Sequence, residues 1–232
     1  PIDSLLSKER IKTLQSSINF KKATPSSKVK PFSVTSESRD TTHYSIIDSE
    51  GNAVSNTYTL GYSFGSGVTI PGTGILLNNQ MNNFAYRYGD DSVEGRAASS
   101  GNKFAPGKRP MSTMAPSMVF NSEGDLTLVT GSPGGSFIPA AILRVISGVI
   151  DFDLNVGEAT MLSRIHKDWP YSGLDYETTL SSDIVKKLGT IGHKPEKQKT
   201  LGSTQSIHII NGINYGYADL RRPGASVSTQ SN

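Results

Sequence analysis

RDTTHYSIID, residues 39–48, passes from charged and polar positions into an alternation of polar and apolar ones at two adjacent threonines. Alternation of that period is the pattern of a half-buried strand, and it places Thr41 at the strand's mouth. The turn residues SEGN (49–52) follow, then a second alternating run, AVSNTYTL (53–60), which together predict a hairpin. Thr41 begins its first strand and Thr59 ends its second, so the two are expected side by side at one end of the sheet. A threonine at a strand start is ordinarily only a β-former. What sets Thr41 apart is the chain before it: Lys21 to Asp40 is rich in Pro, Ser, Thr and Lys without periodicity, the composition of an exposed linker. A break just before Thr41 would give it a free α-amine. With a reference pKa of about 7.7–8.0, such an amine is partly neutral near pH 7 and can take the proton of its own hydroxyl.

A boundary at about residue 40 is also visible in the charge. Residues 1–40 hold eight basic and four acidic residues, the remaining chain fifteen and sixteen. The net charge of +3 over 232 residues therefore belongs to the first segment and forms no basic face for nucleic acid. Zero cysteines exclude disulfides, a thiolate nucleophile and thiolate-held metal. The longest apolar run, FIPAAILRVISGVIDF, is broken by Pro139, Arg144 and Ser147 and falls short of a membrane span. The opening PIDSLLSKER has neither an initiator Met nor a signal-peptide pattern, which suggests part of a longer product.

Outward from the hairpin, Ile11, Leu14 and Ile18 form one stripe of an amphipathic helix over 7–18, with Ser7 as N-cap. The glycine-rich run 61–74 reads as loop, a short strand is expected at Ile75–Leu77, and the polar, turn-rich stretch 85–110 is a candidate lid. SMVFNSEGDLTLVTGSPGG predicts a second hairpin feeding a helix over 137–150, apolar nearly all round and hence buried. Asn155 and Glu158 form a capping box for a helix to about Ser163, SSDIVKKLG is a helix stopped by Gly189, and a last hairpin turns at Asn211-Gly212. Strands, helices and strands in that order indicate an α+β layered fold.

Other chemistries find no support. His43, His166, His193 and His208 never approach metal-ligand spacing, and ordinary strand or surface roles suit them. No G-x-S-x-G elbow occurs, the glycine run lacks the Lys-Ser/Thr ending of a phosphate loop, and Glu123 and Asp125 flank Gly124 in a solvated turn. Gly134 and Gly135 offer unobstructed backbone N–H groups, as an oxyanion hole needs, although GSPGG is also an ordinary turn sequence.

Taken together, TTHYSIID, TYTL, GILLNNQMNNF, KRPMSTMAPS, TGSPGGSFIPAAIL and LGSTQSI follow in the order and spacing of the gamma-glutamyltranspeptidase family, which this chain resembles over nearly its whole length. The resemblance implies a self-cleaving N-terminal-nucleophile hydrolase with a four-layer αββα sandwich, needing no cofactor or metal. It implies residues 1–40 as the tail of the large subunit and 41–232 as the small, catalytic subunit, with the remainder of the large subunit as partner. Asp40-Thr41 becomes the cleavage bond, Thr41 the nucleophile and Thr59 its hydroxyl partner. Ser112 and Thr113 become ligands of the substrate α-carboxylate, Gly134 and Gly135 the oxyanion donors, and Gln80 a ligand near the α-amine. The family's carboxylate-binding arginine lies in the large subunit. The location implied is periplasmic or extracellular in a bacterium.

The chain departs from glutathione-using members at three places. TLG and MNNF stand where TLN and MDDF are common, which puts Gly61 and Asn83 at the donor's α-amino end, and Glu94 takes the place of a gating tyrosine. The substrates expected are a small γ-glutamyl donor and an amine or water acceptor. A glutaryl or cephalosporin acylase, a poly-γ-glutamate depolymerase, and an uncleaved homologue acting as a binding module are the alternatives.

Overall fold

The computed structural model describes residues 2–29, 40–84, 102–168 and 173–230; the stretch 30–39 and most of the expected lid, Glu94 included, lie outside them. The chain opens with α1 (Ile2–Leu5) and α2 (Lys8–Ser16), the latter capped as expected by Ser7, whose hydroxyl accepts from Arg10 N at 3.2 Å. The predicted stripe of Ile11, Leu14 and Ile18 is exposed.

The decisive hairpin is present. Strands β1 (Asp40–Ile47) and β2 (Ala53–Gly61) pair antiparallel, and Asp48 closes their turn by accepting from the N–H groups of Glu50 and Asn52. Asp40 lies opposite Gly61 but Thr41 lies opposite Thr59, so Leu60 has no counterpart and the ladder bulges between Asp40 and Thr41. The expected strand at Ile75–Leu77 is instead a single bridge, Thr69 to Leu76, because the glycines around it turn the backbone before a ladder can extend.

Strands β3 (Ser117–Phe120) and β4 (Leu126–Gly131) form the second hairpin, its turn closed by Asn121 Oδ1 accepting from Glu123 N and Asp125 N. Helix α3 (Ile138–Asp151) and α4 (Val156–Met161) follow, the latter inside the predicted capping box of Asn155 and Glu158. Helix α3 is not buried all round. Ile138, Ala141, Ile142, Val145, Gly148 and Val149 face inward, whereas Leu143 and Ile150 are exposed, because the sheet covers one side of the helix only. Leu143 borders a groove with Ile165, Ile184 and Leu188.

A small sheet the sequence reading missed comes next: β5 (Ile165–His166), β6 (Gly173–Glu177) and β7 (Lys194–Gln198), with β6 and β7 parallel across α5 (Ser182–Thr190). Helix α5 runs through Gly189 and stops at Gly192 (φ 102°). There Gly192 N bonds Gly189 O and His193 N bonds Leu188 O, a Schellman ending. Strands β8 (Gln205–Ile210) and β9 (Ile213–Ala218) meet at Asn211 and Gly212, both with positive φ, as the Asn-Gly turn predicts.

The larger sheet runs β3-β4-β8-β9. Both Leu128 and Val129 of β4 are fully buried, so this strand is covered on both faces. On one face lies the β1–β2 hairpin, where the His43 ring fills the space that a Cβ on Gly131 would need. On the other lie α3 and α4, joined by Val145, Val149, Ala159 and Leu154. The described residues thus supply hairpin, sheet and helix layers of an α+β sandwich, and the outer face of the hairpin, with Tyr44, Ile46, Val54 and Tyr58, is exposed.

Candidate active site

Thr41 is 3% exposed, and its Oγ1 has no hydrogen-bond partner among the described residues. A buried hydroxyl without a partner costs free energy and calls for an explanation. Thr160 Oγ1 shares this state but sits inside α4, whereas Thr41 sits at the bulge, opposite Thr59. Its carbonyl oxygen accepts from Arg222 Nη1 at 2.9 Å. Across the ladder, Thr59 Oγ1 accepts from Gly61 N at 2.9 Å.

Gly61 has φ 94°, a conformation side chains rarely adopt, and the Asn79 amide oxygen occupies the place of any Cβ there while accepting from Tyr62 N at 3.0 Å. The glycine is therefore more than a missing side chain, since Asn79 fills its space.

A run of amides continues from Thr59. Gln80 and Asn83 share a 3-10 turn (Gln80–Asn83); Gln80 Nε2 donates to Thr59 O at 3.3 Å, and Asn83 Nδ2 donates to Gln80 Oε1 at 2.6 Å. The buried Asn102, which no motif singled out, donates to Asn83 O at 2.7 Å and accepts from Met111 N at 3.0 Å. Two residues on, Thr113 Oγ1 donates to Gly135 O at 3.0 Å. Hydrogen bonds thus run from Thr59 through Gln80, Asn83 and Asn102 to the Met111 backbone, and two residues along that backbone Thr113 holds Gly135.

Ser112 and Thr113 differ in what they can offer. Thr113 is buried and its single proton goes to Gly135 O, whereas Ser112 is exposed and its oxygen accepts from Met114 N at 3.1 Å, which leaves its proton for a ligand. Gly134 and Gly135 both have positive φ (137° and 59°) and lead into α3. As the cap and first residue of a 3-10 turn, neither has an intrahelical acceptor for its N–H, and the helix dipole adds partial positive charge there. Behind them, Gly202 is packed so closely that a Cβ on Gly134 would lie 3.0 Å from its Cα, and Ser203 N donates to Ser132 Oγ at 2.9 Å. The LGST stretch thus supports the glycine turn.

A pocket of about 360 Å³ is lined by Thr41, Pro133, Ser203 and Arg222, while Thr59, Gln80, Asn83 and Ser112 lie outside its lining. A larger cleft of about 620 Å³ lies farther along the hairpin, against Ile47, Asn214 and the tail. His43 is buried beside the site, with Nδ1 at 2.7 Å from Thr57 Oγ1 and Nε2 at 3.1 Å from Ser45 Oγ, and burial lowers its pKa to about 4. It is a strand residue, as expected. Arg222, Asn79 and Asn102 were not foreseen, since each reaches the site from a loop and carries no periodic or spacing signal.

The profile of the gamma-glutamyltranspeptidase family matches residues 1–229. The chain belongs to that family. It is 42% identical to the glutathione hydrolase proenzyme of Escherichia coli (strain K12), over 95% of this chain and 38% of that protein. A gamma-glutamyltranspeptidase mutant from Helicobacter pylori superposes with a TM-score of 0.72 at 37% identity, covering 78% of this chain and 100% of the solved one. The cephalosporin acylase from Bacillus halodurans superposes with a TM-score of 0.81 at 26% identity, covering 100% of this chain and 40% of its own. The chain therefore has the α+β fold of gamma-glutamyltranspeptidases, and it spans well under half the length of the curated relative.

Proposed function

We propose that these residues form the catalytic part of a gamma-glutamyltransferase or glutathione hydrolase that matures by cutting Asp40-Thr41. The observation that carries the reading is the buried, unpartnered hydroxyl of Thr41 at the bulge opposite Thr59. Attack of Oγ1 on the Asp40 carbonyl would exchange the amide for an ester, and water would release Asp40 and the Thr41 α-amine. In the mature enzyme that amine takes the hydroxyl proton as Oγ1 attacks the γ-amide of the donor. The N–H groups of Gly134 and Gly135 receive the developing oxyanion, and the amine departs with the proton. The acyl-enzyme then passes to water or to an amine. Thr59 orients Thr41, Ser112 donates to the donor's α-carboxylate, and Thr113 serves by holding Gly135. Residues 1–40 are the large-subunit tail and 41–232 the small subunit. The rest of the large subunit supplies the missing arginine and covers the exposed face of Tyr44, Ile46, Val54 and Tyr58.

We place the enzyme in the periplasm or outside the cell of a bacterium. Among the described residues no helix is long and apolar enough to cross a membrane.

A second reading, a glutaryl-type acylase, is favoured by one observation: the side chains joined to the Thr59 and Gly61 end of the hairpin are the neutral amides of Asn79, Gln80 and Asn83. A neutral amide only partly offsets the lost hydration of an α-ammonium.

The full precursor tests both. Thr41→Ala should remain a single chain with no turnover, and Thr41→Ser should still cut at the same bond. Normal maturation of Thr41→Ala by intact mass would remove Thr41 as nucleophile. The mature enzyme's kcat/KM on a γ-glutamyl anilide against its glutaryl counterpart separates the two donors.

A further inference from the structure

The two glycines read above as oxyanion donors have little of their own to hold them. Glycine samples positive φ freely, and the direction of the Gly135 N–H depends on ψ of Gly134 and φ of Gly135. On one side, Thr113 grips the Gly135 carbonyl. On the other side, the next two residues are both held by the segment that ends β5. Ser136 Oγ donates to Asp168 Oδ2 at 2.9 Å, across 32 residues of sequence. Asp168 Oδ1 lies 2.9 Å from His166 Nε2, whose ring meets Phe137 edge-on at 5.0 Å between centroids. His166 and Asp168 are 11% and 28% exposed, so the arrangement is sheltered but not part of the core.

We propose that Asp168, held by His166 and acting through Ser136, is a positioning residue that sets the aim of the Gly134-Gly135 oxyanion donors. The inference rests on the reading of Gly134 and Gly135 as those donors. A hydroxyl-to-carboxylate bond is charge-assisted and short, and it fixes the Cα of the residue that follows Gly135. Oxyanion stabilisation requires donors within about 2.7–3.1 Å of the charge, so a turn that drifts loses rate before it loses fold. Helix α3 does not need this bond to stay in place, because the fully buried Ile138 and Val145 anchor it independently. The ordinary alternative is a Ser-Asp bond that only stabilises a helix start. The two roles separate because an oxyanion defect appears in kcat while substrate binding stays the same.

The test uses mature enzyme from the full precursor, with active sites titrated by an irreversible acylating inhibitor. Asp168→Ala should lower kcat on a γ-glutamyl anilide by about ten-fold or more with KM within about two-fold, and weaken a boronate that becomes a tetrahedral anion on Thr41 by a similar factor. Asp168→Asn keeps an acceptor for Ser136 and should recover most of the rate. Ser136→Ala deletes one oxygen outside the core and should lower kcat several-fold with the melting temperature nearly unchanged. Unchanged kcat per titrated site in Ser136→Ala and Asp168→Ala, with only a lower melting temperature, would overturn the proposal while leaving the active-site reading intact. A wild-type enzyme with no γ-glutamyl turnover would overturn that reading and this inference together.

Discussion

His43 stands two residues beyond Thr41 in β1, its ring pressed where Gly131 has no side chain. Burial is what lowers its pKa from 6.5 to about 4, since an imidazolium there would lose hydration with no carboxylate to replace it. Unfolded chain binds the proton near pH 6.5 and folded chain only near 4. The stability linked to neutral His43 is therefore fully present above about 6.5, falls as the pH drops through that window, and declines no further below about 4. A gap of that size corresponds to about 3 kcal/mol. His193 and His208 are lowered in the same direction by burial, His193 also by Lys167, and add to the same limb. Urea midpoints of the mature protein should drop clearly between pH 7 and 4.5, and His43→Gln should flatten most of that slope. Equal slopes would show that protonation of His43 is not linked to unfolding and that its pKa is not lowered in the folded chain. Residue-level reading of the sequence placed Thr41 beside Thr59, as the strand register has them, but did not foresee that Asn79 fills the space at Gly61. A side chain at Gly61 would meet both the positive φ and Asn79, so a substitution there must also move Asn79.

At the scale of elements, the helix pair α3 and α4 shows how closely the core is fitted. Gly148 lets the helices approach until an added Cβ would lie 2.8 Å from Ala159 Cβ. Gly148→Val should overpack this contact and cost about 1–3 kcal/mol despite the better helix propensity of valine. Asn155→Ala, which removes the capping oxygen 2.9 Å from Glu158 N, should cost about 1 kcal/mol. Denaturant midpoints of the two variants check both figures, and a neutral Gly148→Val would mean that the helix pair can separate without loss. The caps and turns were legible because they depend on neighbours in sequence: Ser7, Asn155 with Glu158, and Asn211-Gly212 all act within about one turn. The three-stranded sheet was not legible, because β5 is two residues long and β7, KPEKQ, carries three charged residues and no hydrophobic alternation.

Across the whole molecule, a buried ionic network joins segments far apart in sequence. Arg164 Nη2 meets Asp219 Oδ2 at 2.7 Å, and Arg221 grips Glu177 through Nε and Nη2, both at 2.7 Å. Glu177 also accepts from the N–H groups of Arg164 and Leu201, and Asp219 from Thr204 N. Burial alone would raise the Asp219 pKa, but Arg164 and Arg221 outweigh it and hold the carboxyl below its ordinary value. Its contribution is thus present above about 3.8 and lost at lower pH. The network delivers Arg221 to its place and with it the adjacent Arg222, whose guanidinium reaches the Thr41 carbonyl. Asp219→Ala leaves buried Arg164 without its carboxylate and should cost about 3–5 kcal/mol. In the precursor, Asp219→Ala should also reduce cleavage at Asp40-Thr41, whereas Arg222→Ala should slow that cleavage with much less loss of stability. Full cleavage in both, by intact mass, would separate the network from the site.

The sequence by itself determined what depends on short range: hairpin register, caps, the Asn-Gly turn, the paired threonines and the flexible glycine pair. These follow from side-chain period and backbone preference, which neighbouring residues carry on their own. Tertiary structure alone decided that α3 has an exposed side, that Asn79 fills the space at Gly61, that Thr113 serves the glycine turn, and that Arg222 and Asp168 come to the site. Each of these depends on which surfaces the folded layers cover and which distant loops they bring within about 3 Å of one another, as hydrogen bonding requires, and no local pattern encodes that distance.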